Sequence, residues 1–199
     1  MKKIVVINGH PDKDSYNSAI AVSYREAAKA FGADLRYIAI GELYFNPNLQ
    51  FGYRQRMELE PDLVTALEDL HWSDHQVWIH PIWWLGMPAV MKGFLDRAFL
   101  PGITFKRNKD GTSEGLFKAK TARIITTAGD ISTDDYDEVY KSSGLVQLQK
   151  GILEYCGISS FSNDYIGPLH EMNDDDRKKW IERIKIVAVE DSKKKSFVE

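Results

Sequence analysis

Three short stretches carry residue types that could do chemistry together. Gly9-His10-Pro11-Asp12-Lys13-Asp14-Ser15-Tyr16-Asn17 leads into an amphipathic segment, and the first amides of a helix that starts there can receive an anion. The Ser15 hydroxyl and the Asn17 amide are donors suited to a phosphate, although a serine in that place is equally an ordinary helix cap. Neither GxxxxGK[ST] nor GxGxxG occurs, so the stretch is no Walker loop and no dinucleotide fingerprint. The second stretch, His80-Pro81-Ile82-Trp83-Trp84-Leu85-Gly86-Met87-Pro88, sets adjacent tryptophans between prolines. Neighbouring side chains of an extended chain point to opposite sides, so one indole is expected in the core and the other on a crevice wall for a flat aromatic ligand. The alternative is that both rings are core or dimer contacts. In the third stretch Thr126-Thr127-Ala128-Gly129-Asp130 runs on to Tyr136. Small residues there let backbone approach a ring edge, and Tyr136 is either a proton donor or an ordinary loop tyrosine.

The elements that must position these stretches alternate in type. Strands are expected at Lys3 to Asn8, Asp34 to Ile40, Gln76 to His80, Ala122 to Thr127 and Phe161 to Ile166, each a short run rich in apolar residues. Helices are expected at Ser15 to Phe31, Pro61 to Leu70, Pro88 to Phe99, Val139 to Tyr155 and Asp174 to Val189, where apolar residues recur at helical spacing between caps and glycines. Such alternation predicts a flavodoxin-like, doubly wound α/β fold: five parallel strands in order 2-1-3-4-5 with helices on both faces. Ligands of that fold sit beyond the carboxyl ends of the strands, at the switch between strands one and three. The three stretches fall there, giving an anion-binding helix start, an aromatic wall and a hydroxyl-rich floor, which are the three things a flavin requires.

Composition narrows the classes. The 199 residues are 43% hydrophobic and 28% charged, with 26 basic against 29 acidic side chains and a net charge of −3. No basic stripe is available for nucleic acid. The apolar run after Met1-Lys2-Lys3 is too short for a signal peptide, and no run is long enough to span a membrane. With a single cysteine, Cys156, the expected location is the cytoplasm. One domain is expected over 1–191, with a solvated tail at 192–199.

Several motifs together carry a family resemblance. Gly9-His10-Pro11 with Ser15-Tyr16-Asn17, Pro81 to Gly93, Gly115-Leu116, Thr126 to Gly129 and Gly151 to Gly157 occur in the order found in the NAD(P)H:quinone oxidoreductases, the DT-diaphorase and modulator-of-drug-activity type. The chain resembles that family from Lys3 to about Ile166. The resemblance implies a flavin-dependent enzyme that moves a hydride by a ping-pong route from NADH or NADPH to a quinone or similar flat acceptor. It implies that His10, Ser15, Tyr16 and Asn17 hold the phosphate end of the flavin. Pro81, Ile82, Trp83, Trp84 and Leu85, with Thr126, Thr127, Ala128 and Gly129, would contact its ring system. Phe105, Trp84 and Gly129 would meet the substrate, and Tyr136 would serve catalysis. A homodimer with its active site at the interface is also implied, with Leu100 to Lys109 helping to cover the flavin. The short segment before strand three favours FMN, with FAD as the alternative. The family also includes accessory subunits of potassium-efflux systems, which sets a regulatory role beside the enzymatic one. One departure is plain: DT-diaphorase has a histidine six residues beyond the tyrosine, where this chain has Ser142.

His71, His75 and His80 are close in sequence but complete no metal motif, so no metal is expected. Cys156 lies among apolar residues and is expected to be buried rather than reactive.

Overall fold

The computed structural model describes residues 1–193. Strands β1 (Lys3–Asn8), β2 (Asp34–Ala39), β3 (His75–Pro81), β6 (Thr121–Thr127) and β7 (Ser160–Ile166) form one sheet in the order β2-β1-β3-β6-β7, and every pairing in it is parallel. This is the predicted architecture. Side-chain alternation splits the central strands between two cores. Ile4, Val6, Val77, Ile79 and Ile125 face α1 (Tyr16–Ala30) and α6 (Asp174–Lys193). Val5, Ile7, Trp78, Ala122 and Ile124 face α2 (Pro61–Trp72), α3 (Ala89–Ala98) and the segment after α5 (Ser143–Leu148).

Local chemistry sets the helix ends. The Ser15 hydroxyl caps α1 by accepting from the Ser18 amide, Pro61 opens α2, and Ser132 caps the short α4 (Thr133–Glu138).

Two expectations are corrected, and two further features come to light. The helix expected from Val139 to Tyr155 starts only at Ser143, as α5 running into a π-helical turn over Gln149–Glu154, and the short α4 precedes it as a separate element. The break falls at Lys141 and Ser142, both left-handed with φ of 52° and 48°, a conformation that cannot continue a right-handed helix. An antiparallel hairpin of β4 (Phe105–Arg107) and β5 (Ser113–Gly115) was not anticipated, because strands of three residues carrying lysine, arginine and glutamate show no apolar alternation. The segment 43–60, also without regular structure, is tied down by Arg97, which is 1% exposed and donates to both Glu60 carboxylate oxygens and to the Glu58 and Asn46 carbonyls. Finally, Ser192 and Lys193 belong to the last turn of α6 rather than to a tail; the rest of the expected tail, 194–199, lies outside the described residues. No helix among the described residues is long and apolar enough to cross a membrane.

One polar cluster anchors α6 to the sheet. Asp191, fully buried, accepts from Arg123 Nε at 2.5 Å and from the Tyr24 hydroxyl at 2.9 Å, and lies 3.3 Å from His75 Nε2. His75 Nδ1 lies 2.6 Å from the Thr121 hydroxyl, and Arg123 also pairs with Asp164. Ion pairs and hydrogen bonds to His75 and Arg123 outweigh burial and hold the Asp191 carboxyl well below its usual value. Asp191→Ala leaves the Arg123 charge buried with less compensation, and is expected to cost about 3–5 kcal/mol in urea unfolding.

The same titrations set a pH dependence. Burial depresses the pKa of His75, and takes that of His80 down to about 4. The unfolded chain, with imidazoles near 6.5, then binds more protons than the fold in the window below that value, so stability falls on acidification. The urea midpoint is expected to drop between pH 7 and 4.5, and the drop is expected to shrink in His80→Phe.

Candidate functional site

The loops that follow β1, β3 and β6 leave the sheet on one side, and direct contacts join them. The Thr127 hydroxyl donates to Asn17 Oδ1 at 2.9 Å, linking β6 to the start of α1. The Ile82 amide donates to the Thr127 carbonyl at 2.6 Å. The His10 ring meets the Trp83 indole edge-on, with centroids 5.4 Å apart.

The first loop is braced by its own polar groups. The Asp12 amide donates to His10 Nδ1 and the Asp14 amide to Asp12 Oδ1, at 3.0 and 2.9 Å. Ser15 is occupied as the cap, receiving the Ser18 amide at 3.2 Å. Asn17 is different: it is 3% exposed, its oxygen is used by Thr127, and its Nδ2 has no hydrogen-bond partner. The first-turn amides of α1 beside it have no acceptor within the helix. Tyr16 donates its hydroxyl proton to the Arg177 carbonyl at 2.9 Å, and the Arg177 guanidinium lies 5.8 Å from the Tyr16 ring. Arg177 is a cation beside this helix start that sequence reasoning missed, because it arrives from α6, 161 residues away.

The tryptophan loop folds as a tight reversal. Trp83 and Gly86 exchange backbone hydrogen bonds of 2.8 and 3.0 Å, and Trp84 and Leu85 between them take φ of 51° and 62°. Two left-handed residues make a type I′ turn, which ordinarily selects asparagine and glycine. This overturns the expectation that one indole enters the core. Ile82, 6% exposed, is the inward residue, whereas Trp83 is 45% exposed and Trp84 fully so. The strand's alternation ends at Pro81, and the turn lifts both rings outward.

Beneath the turn lies Gly144, where a side chain would come within 2.9 Å of the Leu85 carbonyl and 3.1 Å of the Tyr136 hydroxyl. Tyr136 is 2% exposed and stacked on Tyr165 at 4.6 Å, and its hydroxyl receives the Leu145 amide at 2.9 Å. Burial raises its pKa. The loop tyrosine of the sequence reading is therefore a packed residue of α4, enclosed with Ile82 and Ala128. Thr126 and Thr127 also part company: alternation puts Thr126 on the face of Ile124 and Thr127 on that of Ile125, toward Asn17. The Ala128 amide is committed to the Ile166 carbonyl at 3.0 Å. Beyond it, Gly129 is covered by the ring of His170.

His80, fully buried, lies one residue before Pro81 and donates from Nδ1 to the Pro81 carbonyl at 3.0 Å; its Nε2 has no hydrogen-bond partner. His71 and His75 are engaged elsewhere, with the Ile103 carbonyl and with Thr121 and Asp191. Cys156 is buried, and burial pushes its thiol up to about 11.

Phe105 is not near this site within one chain. Its hairpin meets Cys156 and Gly157 at the amino ends of β6 and β7, where a side chain on Gly115 would collide with the Cys156 carbonyl carbon. Thr127 and Ile82 lie at the other ends of these strands. Seven residues of strand separate the two edges, about 20 Å. There Phe105 packs edge-on to Tyr155 at 4.9 Å and lines a cleft of about 520 Å³ with Phe99, Ile152 and Tyr53.

A sheet of this order, with a helix start, an aromatic turn and a small-residue loop at its switch point, defines a class that comparison with known proteins makes definite. Residues 2–186 match the flavodoxin-like fold family, and the chain belongs to it. It is 30% identical over 183 residues, 89% of its length and 90% of the relative's, to a protein of Haemophilus influenzae named uncharacterized NAD(P)H oxidoreductase. It is 32% identical over 102 residues to the FMN-dependent NADH:quinone oxidoreductase of Caldicellulosiruptor saccharolyticus, a match spanning 51% of this chain and 48% of that one. Among solved structures it resembles Smu.1420 from Streptococcus mutans, with a TM-score of 0.82 at 28% identity, over 96% of this chain and all of that one.

The turn makes a stability prediction. Trp84 makes its left-handed bend without burying its ring, and asparagine tolerates that conformation better. Trp84→Asn is expected to raise unfolding stability by about 1 kcal/mol, measured by urea titration; an unchanged or lower midpoint would show that the turn holds no strain.

Proposed function

We propose that the chain is a flavin-dependent NAD(P)H:quinone oxidoreductase that binds FMN across the three joined loops. The observation that carries this is Asn17. A buried amide nitrogen left without an acceptor costs about 1–3 kcal/mol. A phosphate oxygen at the amino end of α1 removes that cost while meeting the first-turn amides and the helix dipole. Arg177 adds a positive charge beside Tyr16, and His10 steadies the loop against Trp83. The name of the Caldicellulosiruptor relative supports FMN and a quinone acceptor, and that of the Haemophilus relative an NAD(P)H donor.

Bound there, FMN would take a hydride from NADH or NADPH and pass it to a quinone or similarly flat acceptor, the two partners using one pocket in turn. The chain's own residues bind and orient. Trp83 and Trp84 give the ring an apolar wall, with Pro81, Ile82 and Leu85 fixing where that wall stands. Thr127, bonded to Asn17, closes the floor, whereas Thr126 faces the opposite side of the sheet. Since the Ala128 amide is taken by Ile166, Gly129 is the residue assigned to donate to the pyrimidine edge, where charge collects on reduction.

Phe105 meets the substrate of a partner subunit rather than its own. An exposed tryptophan at one edge of the sheet and an aromatic cleft at the other suit a homodimer in which each chain covers its neighbour's flavin. No observation among the described residues favours the reading as a potassium-efflux accessory subunit.

Purified protein, recorded before and after anaerobic NADH or NADPH, is expected to show a flavin spectrum that bleaches and that a quinone restores. Absence of flavin after reconstitution with FMN would overturn the reading. Asn17→Asp, which turns a donor into an anion, is expected to weaken FMN binding by about 100-fold, on the scale of a charge-assisted hydrogen bond gained or lost. Tyr136 is assigned to supporting the turn. Tyr136→Phe is expected to lose about 1 kcal/mol of stability and to keep its quinone-reduction rate; a slower rate at unchanged stability would return the hydroxyl to the chemistry.

A further inference from the structure

Reducing a quinone to its hydroquinone adds two electrons and two protons. The two electrons and one proton travel as the hydride that originates in NAD(P)H, and the remaining oxygen is left as an aryloxide that must be protonated. The buried, hydrogen-bonded Tyr136 is badly placed to do this.

The chain has five histidines, and the structure separates them. His71 and His75 are bonded to groups near the amino ends of the strands. His80 is sealed in the core, with its pKa down to about 4. His10 has its Nδ1 occupied by the Asp12 amide and its ring edge-on to Trp83. His170 alone sits over the third loop. The His170 amide donates to the Gly129 carbonyl at 3.0 Å, and the preceding Leu169 amide donates to the Ala128 carbonyl at 2.8 Å, so two backbone bonds zip this segment onto the loop. The imidazole then lies against Gly129. A methyl group at position 129 would be 3.3 Å from Cε1 and 3.4 Å from Nε2. Nδ1 is 2.5 Å from Asp130 Oδ1. Both side chains are more than two thirds exposed in the single chain, open to a molecule arriving from above.

We propose that His170 is the acid that protonates the acceptor, with Asp130 as its positioning residue. The proposal rests on the oxidoreductase reading above. Asp130 accepts the Nδ1 proton, which fixes the ring, and in the imidazolium the Nε2–H is directed away from the carboxylate. As the hydride is delivered, the Nε2–H bond breaks and an O–H bond forms on the aryloxide oxygen. The neutral imidazole then takes a proton from water. The residue needs no proximity in sequence to Tyr136, because the loop after β7 brings it in from 34 positions downstream.

The test compares two acceptors on the FMN-loaded protein. A naphthoquinone needs protons; ferricyanide takes electrons without one. His170→Gln is expected to lower kcat for the naphthoquinone by about 100-fold, the lower end for general acid catalysis, and to leave the ferricyanide rate unchanged. Asp130→Asn is expected to fall between wild type and that variant. Equal losses with both acceptors, or no loss with either, overturn the proposal. A second readout does not depend on turnover. In the flavin-free protein, the His170 ring resonance, assigned by its disappearance in His170→Gln, is expected to shift when FMN is added. If the Asn17 and Gly129 signals move while that of His170 stays, the proposal fails and the flavin reading stands. If no signal moves and wild type reduces neither acceptor, the flavin reading fails and takes the proposal with it.

Discussion

Parallel pairing is the constraint on which the site depends. In a parallel sheet every strand delivers its carboxyl end to the same edge, and the register of β1, β3 and β6 keeps those ends level: Asn8 lies beside Ile79, and Pro81 beside Thr127. Three loops separated by dozens of residues therefore emerge together. Short bonds complete the junction, from Ile82 to Thr127 and from Thr127 to Asn17. Loosening any one would move an aromatic wall relative to a helix start, and a ligand spanning both would lose one of its ends.

The fold was legible in the sequence because its central strands are apolar on both faces and its helices carry caps and periodic apolar residues. The placement of the three loops followed from topology. What stayed hidden was long-range or local in ways that pattern does not encode. His170 and Arg177 reach the site from the loop after β7 and from α6, and neither sits in a motif with the residues it meets. The outward turn of Trp83 required two left-handed residues that are not glycine, which no propensity rule would place there. The burial of Tyr136 depends on Gly144 letting α5 approach closely, and its partner Tyr165 lies on another strand. Phe105 was read from a resemblance that fixes its sequence position but says nothing about which chain's site it faces.

Polar groups inside the molecule fall into two kinds. Arg97 is saturated by the segment 43–60, with carboxylate and carbonyl acceptors around its guanidinium, so that an 18-residue stretch without helix or strand is fixed against α3. Asn17 and His80 each keep one nitrogen without a partner. Satisfied groups of the first kind specify the fold, whereas unsatisfied ones weaken it unless something else binds. These two nitrogens flank the carboxyl edge of β1 and β3, where ligands of this fold enter.

The tie between Arg123 and Asp191 has a consequence for the order in which the molecule can be made. Arg123 lies in the middle of β6, while its buried counter-charge comes 68 positions later, near the end of α6. During synthesis the first four strands of the sheet emerge from the ribosome with a guanidinium that no earlier acidic residue in the cluster can neutralise. The nascent sheet must keep that charge in water, which holds the face later covered by α6 open until Asp164 and then Asp191 arrive. Closure of this core therefore requires the final helix, which brings the buried counter-charge.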